Sequence, residues 1–130
     1  MKQAIFDLES NGLLKELTTI HCIAIKDSHQ NDRRVQSIKS YSPESIEDAL
    51  EILANADEIV GHNIIGFDIP AIQKVYPNWK PKGKVTDTLV LSRLIKADLI
   101  TEDSTSLALP KDFPRRLFGS HSLKAWGLRL

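Results

Sequence analysis

Short apolar runs in the first 41 residues predict three β-strands, at 2–8, 20–26 and 33–41. A bend signal at Asn11-Gly12 separates the first two strands, and the polar stretch 29–32 separates the second from the third. The middle segment is apolar at both odd and even positions, which is typical of a strand inside a sheet. The spacing therefore predicts an antiparallel meander whose second strand is central.

From Ser42 onward the apolar positions follow a helical period, and short strands alternate with helices. Ser42 is a candidate cap for a helix that has Pro43 at its first position. The apolar face of that helix consists of Ile46, Ala49, Leu50 and Leu53. Residues 58–61 predict a short buried strand, and Pro70 and Pro77 bracket a helix of two turns.

The last third of the chain predicts fewer elements. Val85-Thr86 is a candidate strand, and Asp87 is a candidate cap for the helix after it. Residues 97–119 mix prolines, hydroxyl residues and charges, and they predict a long loop. Ser120 is a candidate cap for a final helix that Gly127 ends. The resulting order, βββαβαβα, predicts an α/β domain with a mixed sheet.

The composition predicts a single domain over residues 1–130. Of the 130 residues, 42% are apolar and 26% are charged, which is enough to bury a core and excludes disorder or collagen. The single cysteine excludes a disulfide scaffold and suits a reducing compartment. No apolar run approaches the roughly 18 residues of a membrane span, and the first residues form no signal peptide. We therefore expect a cytoplasmic protein without a membrane partner.

A net charge of zero hides a segregation of charge along the chain. Residues 41–70 carry seven acidic residues and no Lys or Arg. Residues 71–96 carry six basic residues and one acid, and residues 111–130 carry five basic residues and one acid. A basic second half could track a polyanion, although a solvated surface is the simpler interpretation.

Asp7 and Glu9 stand at the end of the first predicted strand. Residues i and i+2 of a strand share a face, about 6.5–7 Å apart, so two carboxylates there repel each other unless a cation lies between them. Hard oxygen ligands of this kind suit Mg²⁺ or Mn²⁺. Chance alone supplies roughly half of one such pair in a chain with this many acids. Taken alone, the pair favours nothing more than a solvated strand end.

A second acidic element follows the short strand 58–61 and leads into a helix. Its two glycines and Asn63 give the backbone freedom to approach a ligand. Asp68 could cap the helix or turn toward a metal held by Asp7 and Glu9. Both elements end strands, and strand carboxyl ends are where sites form in α/β sheets. The sequence therefore predicts one shared site, with a raised pKa for at least one of the three carboxylates when metal is absent.

Four ordered blocks resemble the DEDD 3′–5′ exonucleases, above all the N-terminal proofreading domain of family A phage replicative DNA polymerases. The first two blocks are Asp-x-Glu after the first strand and His-Asn-x-x-Gly-Phe-Asp-x-Pro at 62–70. The other two are Asp87-Thr88-Leu89-Val90-Leu91-Ser92-Arg93-Leu94 and Phe118-Gly119-Ser120-His121-Ser122-Leu123-Lys124-Ala125-Trp126-Gly127. The resemblance runs from the first residues to the last.

The resemblance implies a ribonuclease H-like fold and two-metal hydrolysis of the terminal phosphodiester of a DNA 3′ end. Carried over by position, the catalytic ligands of two Mg²⁺ or Mn²⁺ ions would be Asp7, Glu9 and Asp68. Asn63 matches a position that supports the site. Leu13 matches one that packs against the terminal base, although a core role fits it equally. His62 is a candidate substrate contact or general base, with a structural role as the alternative.

The fourth carboxylate of that family lies in a later Tyr-x-x-x-Asp or His-x-x-x-x-Asp motif, which this sequence lacks. We therefore expect a piece of a longer polymerase, truncated before that motif. One hypothesis is a proofreading exonuclease domain that is weak or inactive alone. The alternative is a non-catalytic module that binds DNA or a partner chain.

The partners implied by the resemblance follow from both hypotheses. They are a single-stranded or frayed DNA 3′ end, the rest of the polymerase or a complementary fragment, and further copies of the chain through exposed apolar surface. If the protein is encoded by a phage, its location is the host cytoplasm.

Overall fold

The computed structural model describes residues 1–28 and 38–130, which divide into two compact units, Met1–Asp87 and Thr88–Leu130. The strands of the first unit are β1 (Gln3–Ser10), β2 (Ile20–Ser28), β3 (Ile38–Tyr41), β4 (Glu58–Gly61) and β5 (Lys84–Asp87). They form one sheet in the order β3-β2-β1-β4-β5. The first three pair antiparallel, and β4 and β5 join in parallel.

This arrangement confirms the predicted mixed sheet and its three-strand meander. The strand β2 lies between two neighbours, as its apolar character on both faces predicts. The polar turn predicted at 29–32 and the first part of the third predicted strand, 33–37, lie outside the described residues.

Two helices of the first unit, α1 (Ile46–Asn55) and α2 (Asp68–Val75), pack against β2. The buried positions of α1 are the four that the periodicity predicts: Ile46, Ala49, Leu50 and Leu53. From β1 the side chains of Ala4, Phe6 and Leu8 join the same core, while the alternate side chains are exposed. One face of the sheet is therefore core, and the odd-numbered positions of β1 face away from it.

The helix predicted from Pro70 begins two residues earlier, at Asp68, after the cap residue Phe67. Pro70 is the third residue of α2, where the backbone N–H has no intrahelical acceptor in any case, so proline is tolerated there. The helix ends at Val75, before Pro77, as predicted.

The second unit corrects two predictions. Residues 97–119 are not a long loop, because they contain α4 (Leu99–Thr105) and a 3-10 turn (Arg115–Leu117). The final helix, α5 (Leu123–Arg129), is capped by Ser122 rather than Ser120, and it continues through Gly127. The remaining helix, α3 (Thr88–Ile95), follows β5 as expected.

The helix α4 contains Asp103, which forms a buried pair with Arg129 of α5. The guanidinium Nη2 lies 2.6 Å from the Asp103 Oδ2, and a second bond joins Nε to Oδ1 at 2.9 Å. Asp103 also accepts from the backbone N–H of Gly119 at 2.8 Å. Local sequence patterns do not show a partner 26 residues away, so they miss α4, which these bonds stabilise.

Apolar side chains are also exposed in the second unit. They are Val90, Leu91, Leu94, Ile95, Ile100, Leu107, Leu123, Leu128 and Leu130. In the described parts of the chain, 1–28 and 38–130, no helix is both long enough and apolar enough to cross a membrane.

Candidate active site

The outer part of β1 carries Asp7 and Glu9 on one exposed face. Their Cα partners on β2 are Ala24 and Cys22, and a register shift follows at Glu9/Ser10. Pairing of β1 with β4 ends at Ile5, so both carboxylates lie on the part of β1 that extends past the end of β4. The predicted i, i+2 geometry is present, because Asp7 and Glu9 are alternate exposed residues of β1.

That loop, residues 62–67, is tightly folded, and we call it the β4–α2 loop. Gly61 precedes it, and a Cβ at that position would lie 2.3 Å from the Ile64 Cγ2 and 2.8 Å from the Phe6 carbonyl oxygen. Asn63 has a φ of 65°, in the left-handed region. Its carbonyl accepts from the N–H groups of Gly66 at 3.1 Å and Phe67 at 2.9 Å. The chain therefore reverses over a few residues and delivers Asp68 at the first position of α2.

Asp68 is buried at this position, with 3% of its surface exposed. Its Oδ1 accepts from the backbone N–H of Leu8 at 3.2 Å, so the carboxylate lies against the extension of β1. Burial, followed by the negative charge of Asp7, raises the pKa of Asp68 to about 7. The hydrogen bond from Leu8 opposes this shift, and the charge of Asp87 adds to it.

Burial is the larger cause of the raised pKa of Asp68, and repulsion by Asp7 is the second. Asp68 is also not the cap of α2, because Phe67 holds the cap position and makes no side-chain cap bond. A buried carboxylate beside a second carboxylate is a donor set that suits a hard divalent cation. The structure brings Asp68 under the influence of the Asp7 charge, and the shared site of Asp7, Glu9 and Asp68 stays a prediction.

The other predicted site residues occupy separate positions around this pair. Glu9 and Asn63 are exposed, and His62 is half-buried at the start of the β4–α2 loop. Among the described residues there is no group of three or more His, Cys, Asp or Glu side chains arranged to hold a metal ion. The roles of Glu9, His62 and Asn63 stay predictions.

Leu13 lies on a second loop, residues 11–19, which we call the β1–β2 loop. Its side chain is 74% exposed, so the alternative of a core role is wrong. Asn11 closes the loop by accepting from the N–H groups of Thr18 at 2.9 Å and Thr19 at 3.0 Å. Contact of Leu13 with a terminal base stays a prediction.

The sequence did not predict that two residues, Lys74 and Asp87, hold these loops in place. Lys74 on α2 donates to the carbonyl oxygens of Leu14 at 2.6 Å and Lys15 at 2.8 Å. Asp87, predicted as a helix cap, accepts from backbone N–H groups of the β4–α2 loop. For Asp87 a signal existed, since it ends the third parallel strand at the same edge as Gly61. For Lys74 there was none, because a lysine on a helix surface is ordinary.

Several of the basic residues that could track a polyanion bind their own chain instead. Lys82 donates to Asn55 Oδ1 at 2.8 Å, Lys84 lies 3.3 Å from Glu58, and Arg129 is buried with Asp103. In the second unit, the indole N–H of Trp126 donates to Ser92 Oγ at 2.8 Å. Ordinary structural roles therefore account for part of the charge segregation.

Known proteins resemble this chain in sequence. The family model of the RNase H superfamily matches residues 4–109. DNA-directed DNA polymerases of Escherichia phage T7 and Enterobacteria phage T3 are each 38% identical to it over 136 aligned positions. These alignments take in 97% of this chain and 18% of each polymerase, so the chain spans less than a fifth of the length of these curated relatives.

Solved structures of exonuclease I resemble the chain in fold. One has a TM-score of 0.58 at 12% identity, with 78% of this chain and 31% of that chain covered. The zinc-bound form of an E. coli exonuclease I complex with single-stranded DNA has a TM-score of 0.59 at 12% identity, covering 87% and 32%. At this level of identity the likeness concerns the fold alone.

Proposed function

The chain belongs to the RNase H superfamily, and we propose that it acts as the metal-dependent 3′–5′ exonuclease part of a DNA polymerase. Its similarity to the two phage polymerases confirms the predicted resemblance, and the match to exonuclease I confirms the predicted ribonuclease H-like fold. The observation that carries the proposal is the buried Asp68, whose pKa is raised to about 7 by burial and by Asp7.

Asp7 and Asp68 are the residues that we propose to hold a divalent cation, with Glu9 as a further ligand from the same face of β1. Mg²⁺ is our proposal for that cation, and Mn²⁺ is a substitute. A pair of such ions would activate the attacking water and stabilise the departing 3′ oxygen. The protein's own contribution is to hold Asp68 against the N–H of Leu8, so that the carboxylate is oriented before a ligand arrives.

For the substrate we propose a single-stranded or frayed DNA 3′ end. Support comes from the exposed Leu13 at the tip of an ordered loop, which offers an apolar surface for a base to pack on. We also propose Asn63 and His62 as substrate contacts, because they lie on the β4–α2 loop, close in sequence to Asp68. Exonuclease I, which resembles this chain in fold, has been crystallised with single-stranded DNA.

A second candidate function is a non-catalytic module that binds DNA or a partner chain. It is favoured by one observation: the described residues contain no group of three metal-ligating side chains arranged around an ion. A module of this kind would retain binding to single-stranded DNA without hydrolysing it.

The two functions differ in a single-turnover assay on single-stranded DNA labelled at its 3′ end, with protein in excess and Mg²⁺ or Mn²⁺ present. We expect release of labelled nucleoside monophosphate, lowered by roughly 10³-fold in Asp68→Asn because the metal site is lost. Asp48→Asn, an exposed acid on α1, is the matched control and keeps the wild-type rate. DNA binding without any release, even after the rest of the polymerase chain is added, would favour the second function, whereas equal release by wild type and Asp68→Asn would place the hydrolysis at another site.

Partners and location complete the proposal. We propose that the rest of a polymerase chain, or a complementary fragment, accompanies this domain in the cytoplasm of a phage host. Self-association through the exposed apolar side chains of the second unit stays a prediction. Sedimentation at several protein concentrations measures it directly.

A further inference from the structure

We propose that Asp87 is a positioning residue, which fixes the β4–α2 loop so that Asp68 meets the extension of β1. This inference rests on the proposed function of Asp68, and it adds a residue to which the exonuclease assignment gives no role. Asp87 acts on the loop backbone, and the loop in turn sets the place of the carboxylate.

The carboxylate of Asp87 is buried, with 4% of the residue exposed. Its Oδ1 accepts from the N–H of Asn63 at 2.9 Å, and its Oδ2 accepts from the N–H of Ile65 at 3.0 Å. Each oxygen thus receives a main-chain donor from the loop. Asp87 is also the Cα partner of Gly61, so the loop begins beside the strand end that holds it.

The loop turns sharply at the residue that Asp87 binds. Asn63 has a φ of 65°, a left-handed conformation that asparagine adopts more readily than most residues with a side chain. Two N–H groups that converge on one carboxylate form a concavity for a negative charge. Hydrogen bonds to an ionised acceptor are stronger than those to a neutral acceptor, so one carboxylate suffices to fix both ends of the turn.

The path from the anchor to the site is short. Ile65, held by Asp87, lies three positions before Asp68. Two backbone hydrogen bonds join the loop to the start of α2. The N–H of Phe67 donates to the Asn63 carbonyl at 2.9 Å, and the N–H of Ile69 donates to the Ile64 carbonyl at 2.9 Å. A displacement of the loop therefore carries the first turn of α2 with it and weakens the contact between Asp68 and the N–H of Leu8.

The test compares Asp87→Asn with a matched control at the preceding residue, Thr86→Val. The asparagine side chain has one acceptor oxygen and one NH₂ group, so one loop amide loses its acceptor. The control removes the bond from Thr86 Oγ1 to Glu58 Oε1, which lies on the same strand pair and does not involve the loop. Amide hydrogen exchange is measured by NMR in metal-free protein, so this readout does not depend on activity.

In Asp87→Asn we expect exchange to rise about tenfold or more at three amides. Two of them, Asn63 and Ile65, donate to Asp87, and the third, Leu8, donates to Asp68 and reports its position. In Thr86→Val the exchange rates of these three amides, relative to those of the other amides of the sheet, stay as in wild type. Asp87→Glu keeps both acceptor oxygens and gives a smaller increase, so a conservative variant remains if the asparagine variant does not fold.

The result at Leu8 decides the proposal. Faster exchange at Asn63 and Ile65 with an unchanged Leu8 amide would limit Asp87 to a structural role in the loop and overturn the inference. No change at any of the three amides would overturn it as well. If the exchange pattern appears but wild type, supplied with the rest of the polymerase chain, shows no nuclease activity, the proposed function fails, whereas the positioning of Asp68 by Asp87 stands.

In active protein a second readout applies. Single-turnover rates of Asp87→Asn should fall by about 10–100-fold, the usual loss for a residue that supports a metal ligand. The DNA concentration needed for half-saturation should rise by less than the rate falls, because the loop that Asp87 holds also carries the proposed substrate contacts Asn63 and His62. An equal rate with weakened DNA binding would overturn the proposal.

Discussion

The two loops around the candidate site are fixed by opposite chemistry. The β1–β2 loop is held by an exposed lysine of α2, Lys74, which donates to the carbonyl oxygens of Leu14 and Lys15. The β4–α2 loop is held by a buried carboxylate at the end of β5, Asp87, which accepts from two N–H groups of the loop. The first loop presents an apolar side chain for contact, whereas the second presents the acid that we propose for chemistry.

The difference between the loops lies in how strongly water competes with each anchor. Water replaces an exposed lysine donor at low cost, so the β1–β2 loop can move when it loses that anchor. A buried carboxylate and its donors lose their partners without compensation, so the β4–α2 loop depends on its anchor for its conformation. The comparison predicts large effects for substitutions in the second loop and small ones in the first.

The largest effect that we expect on stability comes from Asp68 itself. Burial and the charge of Asp7 raise its pKa from 3.8 to about 7. Between those two pH values the folded state binds a proton that the unfolded state does not. The free energy of unfolding therefore falls as pH rises through this window, and stays at its lower value above it.

Asp68→Asn removes this dependence while keeping an oxygen to accept the N–H of Leu8. In metal-free buffer the variant should gain about 2–4 kcal/mol relative to wild type between pH 4 and pH 7. Urea unfolding at several pH values gives the difference. If the free energies of unfolding of the two proteins changed with pH in parallel, Asp68 would have an ordinary pKa. The β4–α2 loop would then not lead to a buried acid of unusual pKa.

Two glycine substitutions, one just before the β4–α2 loop and one inside it, compare backbone and side-chain crowding around that loop. Gly61→Ala should cost about 1–3 kcal/mol, because its Cβ would lie 2.8 Å from the Phe6 carbonyl oxygen, which is backbone. Gly66→Ala should cost less than about 1 kcal/mol, since its Cβ would meet the Oδ1 of the exposed Asn63 side chain at 2.4 Å. Thermal unfolding measures both, and similar losses would contradict the difference in packing.

The smallest effect should come from the β1–β2 loop. Lys74→Met removes both donors to the loop, yet it should lower stability by less than about 1 kcal/mol because the site is exposed. We expect single-stranded DNA to bind about two- to fivefold more weakly, with the rate of bound substrate unchanged. Lys80→Met, also exposed, is the control. A loss of rate as large as that of Asp87→Asn would make the two loops equivalent.

The sequence patterns predict the elements that local chemistry determines. The four core positions of α1 follow from helical spacing alone, and the meander follows from apolar runs separated by turn residues. The coupling of Asp7 with Asp68 follows from strand ends that meet at one edge of a parallel pair. The first two follow from neighbours in sequence, and the third follows from the order of the strands.

The features that the patterns miss depend on partners far apart in the chain. The helix α4 is held by Asp103 and its bonds to Arg129 and Gly119, which no local period reveals. The role of Asp87 depends on donors more than twenty residues before it. The burial of Asp68 depends on the extension of β1 past β4, a matter of register that spacing does not fix.

Asp68 and Asp7 can be tested as a coupled carboxylate site for a divalent cation by carbon-13 NMR of the Asp68 carboxyl group, titrated with pH. We expect a midpoint near 7 in metal-free buffer, a lower midpoint in Asp7→Asn, and a much lower one when millimolar Mg²⁺ is added to wild type. A midpoint that neither Asp7→Asn nor Mg²⁺ moves would show that the two carboxylates are not coupled and hold no cation.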